Sequence, residues 1–181
     1  MTYPDGSIYV GSFRDDLADG QGKITYPDGS TYEGAWAVGI IDGIGTATYP
    51  NGVVYEGEFK NARNDGQGVM TYADGYRYEG EWKDGQRHGT GTATYPDGTV
   101  YTGNFTNGQR DGTGKITMAD GFTYEGEWAV GVISGTGTAT YANGDVYEGT
   151  FQDGKRQGTG TMRYGTGEEA SGNWVNGAFS E

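Results

Sequence analysis

The chain repeats one pattern every 23 residues, and this period constrains the fold more than any other feature of the sequence. Each repeat carries a tyrosine, a glycine two residues later and an aromatic residue two residues after that. The tyrosines are Tyr9, Tyr32, Tyr55, Tyr78, Tyr101, Tyr124 and Tyr147, with Ala170 in the eighth place, and the aromatic residues are Phe13, Trp36, Phe59, Trp82, Phe105, Trp128, Phe151 and Trp174. A short, regular period is typical of a stacked array in which each unit contacts mainly its neighbours.

One repeat has the pattern of a β-hairpin. Tyr55, Gly57 and Phe59 alternate with Glu56 and Glu58, which is the period of a half-buried strand, and residues 66–72 alternate in the same way. A turn of the type Tyr-Pro-Asp-Gly, as at residues 26–29, joins each hairpin to the next. The sequence therefore predicts an all-β protein, an elongated, single-layer antiparallel sheet of consecutive β-hairpins with essentially no helix.

Counting strands predicts one domain, residues 1–181, with seven complete hairpins and a stray strand at each end. The stray strands are Met1–Tyr3 and Ala170–Trp174. Bare edge strands pair with other chains, so the chain is expected either to be a piece of a longer protein or to pair end to end in an oligomer.

A second period, of 46 residues, indicates which face of the sheet is buried. Repeats with tryptophan have alanine in the second strand (Ala47, Ala93, Ala139), and repeats with phenylalanine have a larger residue there (Ile24, Met70, Ile116, Met162). Pairing large with small keeps the local volume constant, as a close-packed interior requires. We therefore predict that the ring face is buried and that its glycines leave bare backbone for neighbouring rings.

Composition narrows the classes of function. The formal net charge of −13 opposes nucleic-acid binding and disfavours adsorption to an anionic bilayer. The chain has no cysteine, no apolar run long enough to span a membrane and no signal peptide at Met1. These features predict a cytoplasmic protein, with peripheral membrane attachment as the exception.

We find no motif that carries chemistry. His88 is the only histidine, and no motif places a nucleophile or carboxylate beside it. Glutamate pairs such as Glu56 and Glu58 alternate outward along strands, which is typical of a solvated face. The recurring Gly-x-Gly opens strands rather than helices, so it does not match a phosphate-binding loop. The sequence predicts no catalytic, cofactor-binding or metal site, and hence no enzyme.

Three sets of residues are candidates for contact with a partner. The first comprises apolar residues in two hairpin loops: Val38, Ile40, Ile41, Val130, Val132 and Ile133. They either fold under neighbouring hairpins or contact a partner. The second is an aromatic groove: Tyr32, Trp36, Tyr55, Phe59, Tyr78, Trp82, Tyr101, Phe105, Tyr124 and Trp128. The third is a basic edge formed by the loops: Arg63, Lys83, Arg87, Arg110, Lys155 and Arg156.

The segment Tyr78–Gly91, followed by Thr94–Gly98, resembles the MORN repeat (membrane occupation and recognition nexus), and the resemblance covers nearly the whole chain. The chain departs from the pattern at Asp16, Ala62, Met118 and Ala170. The resemblance implies a row of hairpins forming a twisted sheet with an aromatic groove. It also implies an association with phospholipids. In some larger proteins of the family, the repeats occur in the same chain as a lipid-kinase or methyltransferase domain.

These observations predict a non-enzymatic scaffold that binds a protein segment or associates with itself through the groove, the apolar loops or the array ends. An extended peptide or an amphipathic helix in the groove would use known modes of recognition. The alternative is peripheral binding of phosphoinositides, or a repeat region cut from a larger protein such as a lipid-kinase-like enzyme.

Overall fold

The computed structural model describes residues 1–180 and shows sixteen β-strands, with no helix in this range. The strands are β1 (Ile8–Arg14), β2 (Leu17–Thr25), β3 (Thr31–Ala37), β4 (Ile40–Thr48), β5 (Val54–Lys60), β6 (Arg63–Thr71), β7 (Arg77–Lys83), β8 (Gln86–Thr94), β9 (Val100–Thr106), β10 (Gln109–Thr117), β11 (Thr123–Ala129), β12 (Val132–Thr140), β13 (Val146–Gln152), β14 (Lys155–Arg163), β15 (Glu169–Val175) and β16 (Ala178–Ser180). They belong to one antiparallel sheet whose strand order follows the chain. The prediction of an all-β sheet of consecutive hairpins is confirmed.

The chain divides into two compact units, Met1–Gly89 and Thr90–Glu181. In the first unit, each strand from β1 to β7 pairs with the next. In the second unit, the strands from β9 to β16 do the same. The β5–β6 pair shows the common register, in which Tyr55 lies opposite Met70 and Gly57 lies opposite Gly68. The same pairing of tyrosine with an apolar residue and of glycine with glycine recurs in both units.

A bulge interrupts six of the hairpins, which the alternation alone did not predict. In β5–β6 the register shifts between Gly57 and Phe59, so that Phe59 lies opposite Asn64. The shift removes the Gln67 amide from the strand ladder, and this amide donates instead to the Glu58 carboxylate at 2.9 Å. Glu58 is exposed, as the solvated face predicted from the sequence requires, and its carboxylate also satisfies a backbone donor.

The hairpin tips are two-residue turns in which both residues have positive φ. Asn61 (φ 49°) and Ala62 (φ 59°) show this geometry, which matches the right-handed twist of the flanking strands. Each tip also bonds to the hairpin before it, since the Ala62 amide donates to the Ile41 carbonyl at 2.8 Å and the Asn61 amide donates to the Asp42 carboxylate at 3.4 Å. The tips are thus held to the preceding hairpin as well as to their own.

The repeated tyrosines lie flat on pairs of glycines that face each other across two strands. The Tyr55 side chain is fully buried, and its hydroxyl donates to the Glu58 carbonyl at 2.9 Å. A Cβ atom added to Gly68 would lie 2.2 Å from the Tyr55 hydroxyl oxygen, and one added to Gly57 would lie 2.5 Å from the Gln67 carbonyl oxygen. The structure confirms that these glycines leave bare backbone for a ring.

Rings of successive repeats contact one another edge to face. Phe59 lies between Tyr32 and Tyr55, with ring centroids 4.9 Å from each, and Trp82 lies between Tyr55 and Tyr78 at 5.3 and 5.1 Å. The Trp82 indole also donates to the Gly68 carbonyl at 3.1 Å. Edge-to-face pairs add to the free energy gained from burial, so this ring ladder forms the core of each unit.

The two ends differ from the predicted stray strands. Met1–Tyr3 forms only an isolated bridge between Thr2 and Ile8, not a strand. At the other end β15 is not a stray strand, because it pairs with the short β16 and places Phe179 opposite Trp174. The Phe179 ring lies 5.2 Å from that of Trp174 and covers Gly172. It fills the place left by Ala170, where the other repeats have a tyrosine.

Burial of the tyrosines predicts a loss of stability in alkali. Burial raises the pKa of Tyr32, Tyr78, Tyr101 and Tyr124 to about 12, whereas a tyrosine of the unfolded chain titrates near pH 10. The contribution of these groups is therefore complete below about pH 10, and it is lost as the pH rises through the folded pKa. Melting temperatures should fall steeply between about pH 10 and 12. Melting followed together with tyrosinate absorbance tests this, and ionisation that precedes unfolding would contradict it.

Candidate interaction surfaces

The aromatic groove predicted from the sequence is closed. The ten rings assigned to it are each at most 7% exposed, and the tyrosines among them are at most 2% exposed. They are buried because each tyrosine lies on glycine backbone and packs against a tryptophan or phenylalanine, as Tyr55 does against Phe59 of its own strand and Trp82 of the next repeat. These residues build the core, and little of their surface is open to a partner.

The apolar loops consist of a two-residue tip and the ends of its two strands. At the first tip Val38 is 67% exposed and Ile40 is 47% exposed, while Ile41 is buried opposite Trp36. At the second tip Val130 is 68% exposed and Val132 is 43% exposed. Ile133 is half-buried opposite Trp128. Ile41 and Ile133 thus pack against the rings, whereas Val38, Ile40, Val130 and Val132 are exposed, and contact of these residues with a partner stays a prediction.

Val38 and Val130 adopt a backbone conformation that disfavours valine. Both have φ of 49°, the left-handed region in which a β-branched residue is an outlier. The equivalent tip positions in the other described hairpins hold aspartate or asparagine: Asp15, Asn61, Asp84, Asn107, Asp153 and Asn176. Bonds to the preceding hairpin hold the strained tips, since the Val38 amide donates to Asp19 at 3.3 Å and the Val130 amide to Asp111 at 3.1 Å.

The basic residues predicted to form one edge fall into two groups. Arg63, Lys83 and Lys155 are exposed at hairpin tips, where Arg63 pairs with Asp84 at 3.2 Å. Arg87, Arg110 and Arg156 lie on the ring face. The guanidinium carbon of Arg110 is 4.6 Å from the Trp128 ring centroid, and that of Arg156 is 4.4 Å from the Trp174 ring centroid. These arginines cap the ring ladder by cation–π contacts.

No group of three or more possible metal ligands occurs within residues 1–180. His88 is half-buried in a depression at the hairpin tips that is also lined by Lys60, Lys83 and Glu81. It occupies the position at which Asp19, Asp42, Asp65 and Asp111 accept a tip amide in their repeats. This position has a structural use in those repeats, and His88 itself belongs to β8 rather than to a loop.

A row of accessible tyrosines was missed by the sequence analysis. It consists of Tyr3, Tyr26, Tyr49 and Tyr72, the first residues of the turns that connect successive hairpins, and we call it the outer tyrosine row. Tyr49 and Tyr72 are 40% and 36% exposed, and Tyr3 and Tyr26 are half-buried. The 23-residue period of these residues was visible, but their proline and glycine neighbours indicated only a turn.

One rigid turn presents each member of the row. The Tyr26 amide donates to the Ser30 carbonyl at 2.9 Å, and the Gly29 amide donates back to the Tyr26 carbonyl at 3.0 Å. The Asp28 carboxylate accepts from the Ser30 amide at 2.8 Å. The turn that begins at Tyr3 has the same three bonds. The tyrosine side chains are therefore held in equivalent positions along one margin of the sheet.

An all-β array of consecutive hairpins with a buried ring ladder defines the class of protein as a β-hairpin repeat protein. The model of the MORN repeat family matches residues 9–31, 32–54, 55–75, 78–100, 101–123, 124–146 and 147–169. The chain belongs to the MORN repeat family. A search of curated protein sequences gives no significant match.

Two solved structures to which this chain is similar are domains of Drosophila melanogaster SAS-4. The TCP domain of Drosophila melanogaster SAS-4, in complex with a proline-rich motif of Ana2, matches with a TM-score of 0.55 and 18% identity over 93% of this chain and 90% of that chain. The TCP10c domain of Drosophila melanogaster Sas-4 matches with a TM-score of 0.49 and 17% identity over 93% of this chain and 99% of that chain.

None of residues 1–180 belongs to a helix that is long and apolar enough to cross a membrane.

Proposed function

We propose that this protein is a non-enzymatic scaffold that binds an apolar segment of a protein partner at a hairpin tip, with one such tip, Val38–Ile40, in the first unit and another, Val130–Val132, in the second. The observation that carries the proposal is the left-handed, exposed valine at each tip. Strained backbone in a folded protein is often found at functional sites. Exposed apolar groups that lie close together mark surfaces for contact with another molecule, and Val38 and Ile40 are exposed together at one tip.

Ile41 and Ile133 connect the two hairpin tips to the buried rings. Ile41 packs opposite Trp36 and Ile133 opposite Trp128, so each tip rests on the ring ladder. A contact surface on a rigid support loses less conformational freedom when it binds. The fold is also compatible with this role, because the TCP domain of similar fold is seen in complex with a protein motif.

Replacing Val38 and Val130 with asparagine should stabilise the protein and weaken binding to its partner. Asparagine tolerates the left-handed conformation, so we expect each change to gain about 1 kcal/mol of unfolding free energy. The measurements are urea denaturation and affinity capture from the native lysate with each variant. Asp153→Asn, at the same position of a polar tip, is the matched control and should retain the captured partner. Equal recovery by the wild type and the double variant would refute the proposal.

Phospholipid binding has less support. Of the six residues predicted to form a basic edge, Arg87, Arg110 and Arg156 are engaged with rings of the core. Salt-sensitive pelleting with anionic liposomes would favour lipid binding over a protein partner. Self-association and a cytoplasmic location stay predictions, and light scattering over a range of concentrations tests the first of them.

A further inference from the structure

We propose that the outer tyrosine row binds a basic, proline-rich segment in the polyproline II conformation. This goes beyond the proposed function, because the row and the hairpin tips lie at opposite ends of the strands. Tyr26 precedes β3, for example, whereas Val38 follows it. A partner can therefore occupy either surface without the other.

The spacing of the tyrosines in the outer tyrosine row matches the repeat of a polyproline II helix. Successive members of the row are two strands apart, which corresponds to about 9.6 Å at 4.8 Å per strand. A polyproline II helix has three residues per turn and a rise of 3.1 Å, so the same side of the helix returns after about 9.3 Å. Every third residue of such a segment therefore meets the next tyrosine, and four tyrosines match four turns.

Side chains of the outer tyrosine row are accessible to a partner and are carried by turns that lie close together. The Tyr49 and Tyr72 side chains present more than a third of their surface, unlike the buried tyrosines of the ring ladder. The first turn lies close to the second and the third close to the fourth, since a Cβ atom added to Gly6 would lie 3.4 Å from Pro27 and one added to Gly52 would lie 3.2 Å from Ala73. Rigid, exposed aromatic rings are the surfaces on which proline-rich segments dock.

The negative charge beside the outer tyrosine row favours a basic partner segment. Three of the four turns carry an exposed aspartate two residues after the tyrosine: Asp5, Asp28 and Asp74. Hydrogen bonds from Ser7 and Ser30 lower the pKa of Asp5 and Asp28, so both are ionised at neutral pH. The net charge of −13 has the same sign. Arginine or lysine between the prolines would lie near these carboxylates, which favours association.

The test uses the full chain and a fluorescent peptide of four Arg-Pro-Pro repeats, about 37 Å long in the polyproline II form. We expect saturable binding by fluorescence anisotropy. The variant Tyr26→Ala/Tyr49→Ala/Tyr72→Ala should bind at least about tenfold more weakly, because three ring contacts are lost. The variant Val38→Asn/Val130→Asn should bind like the wild type. Thermal melting of each variant shows whether the fold is retained, and Tyr49→Phe/Tyr72→Phe, which keeps the rings, should bind like the wild type.

Three results would overturn the proposal. One is equal binding of a peptide of four Arg-Gly-Gly repeats, which has the same charge without the conformation. Another is undiminished binding by the triple alanine variant. The third is no binding of the Arg-Pro-Pro peptide by the wild type at low salt. A failure here leaves the hairpin-tip proposal standing, since that proposal is judged by Val38→Asn/Val130→Asn in the capture experiment.

Discussion

Replacing Phe59 with alanine should lower the free energy of unfolding by about 3–5 kcal/mol. Phe59 is 6% exposed, and its ring centroid lies 4.9 Å from those of both Tyr32 and Tyr55. Truncation removes both edge-to-face contacts and leaves a cavity between two strands. Because the strands belong to a single sheet, no second sheet supplies side chains that could fill that cavity.

Phe13 is the matched control for this change. It occupies the same place in its repeat, but it is 44% exposed and has a single ring partner, Tyr9 at 5.1 Å. Phe13→Ala should therefore cost less than half as much as Phe59→Ala. Urea denaturation followed by circular dichroism and tryptophan fluorescence measures both. Similar losses for the two variants would show that the ring ladder does not carry the stability that we assign to it.

Replacing Gly57 with alanine should cost more than about 4 kcal/mol, a loss seen only where a mutation forces a rearrangement. A Cβ atom at this position would lie 2.5 Å from the Gln67 carbonyl oxygen and 2.5 Å from the Gly68 Cα. Both are backbone atoms of the paired strand, so no side-chain rotation relieves the clash. The variant must separate β5 from β6 or displace the Tyr55 ring.

Gly29→Ala is the control that measures the ordinary cost of replacing a glycine, without the backbone clash expected at Gly57. Gly29 has φ of 87° in an inter-hairpin turn, and nothing lies within 4 Å of its added Cβ. Gly29→Ala should cost about 1–2 kcal/mol, the penalty for a left-handed backbone. Chemical denaturation and hydrogen exchange of the β5 and β6 amides compare the two. A loss at Gly57 no greater than that at Gly29 would mean that the strands separate at little cost.

The sequence by itself determined the repeat, the hairpins and the face that carries the rings. Alternation along Tyr55–Phe59 places Tyr55 and Phe59 on one side of a strand, and the 23-residue period ensures that neighbouring strands do the same. Family membership followed from the same pattern. These properties depend on backbone geometry and on residues close together in the chain, so a local pattern was sufficient.

Only the tertiary structure decided which of these residues a partner can reach. The rings of the predicted groove are buried because each is covered by groups from other strands: Trp82, for example, bonds to the Gly68 carbonyl and packs on Tyr55. The tertiary packing also places Arg110 and Arg156 over rings and Phe179 against Gly172. It buries Ile41 but leaves Val38 exposed. The physical reason is that exposure depends on which groups other strands place over a side chain. The bulges in six of the hairpins change that placement without changing the period.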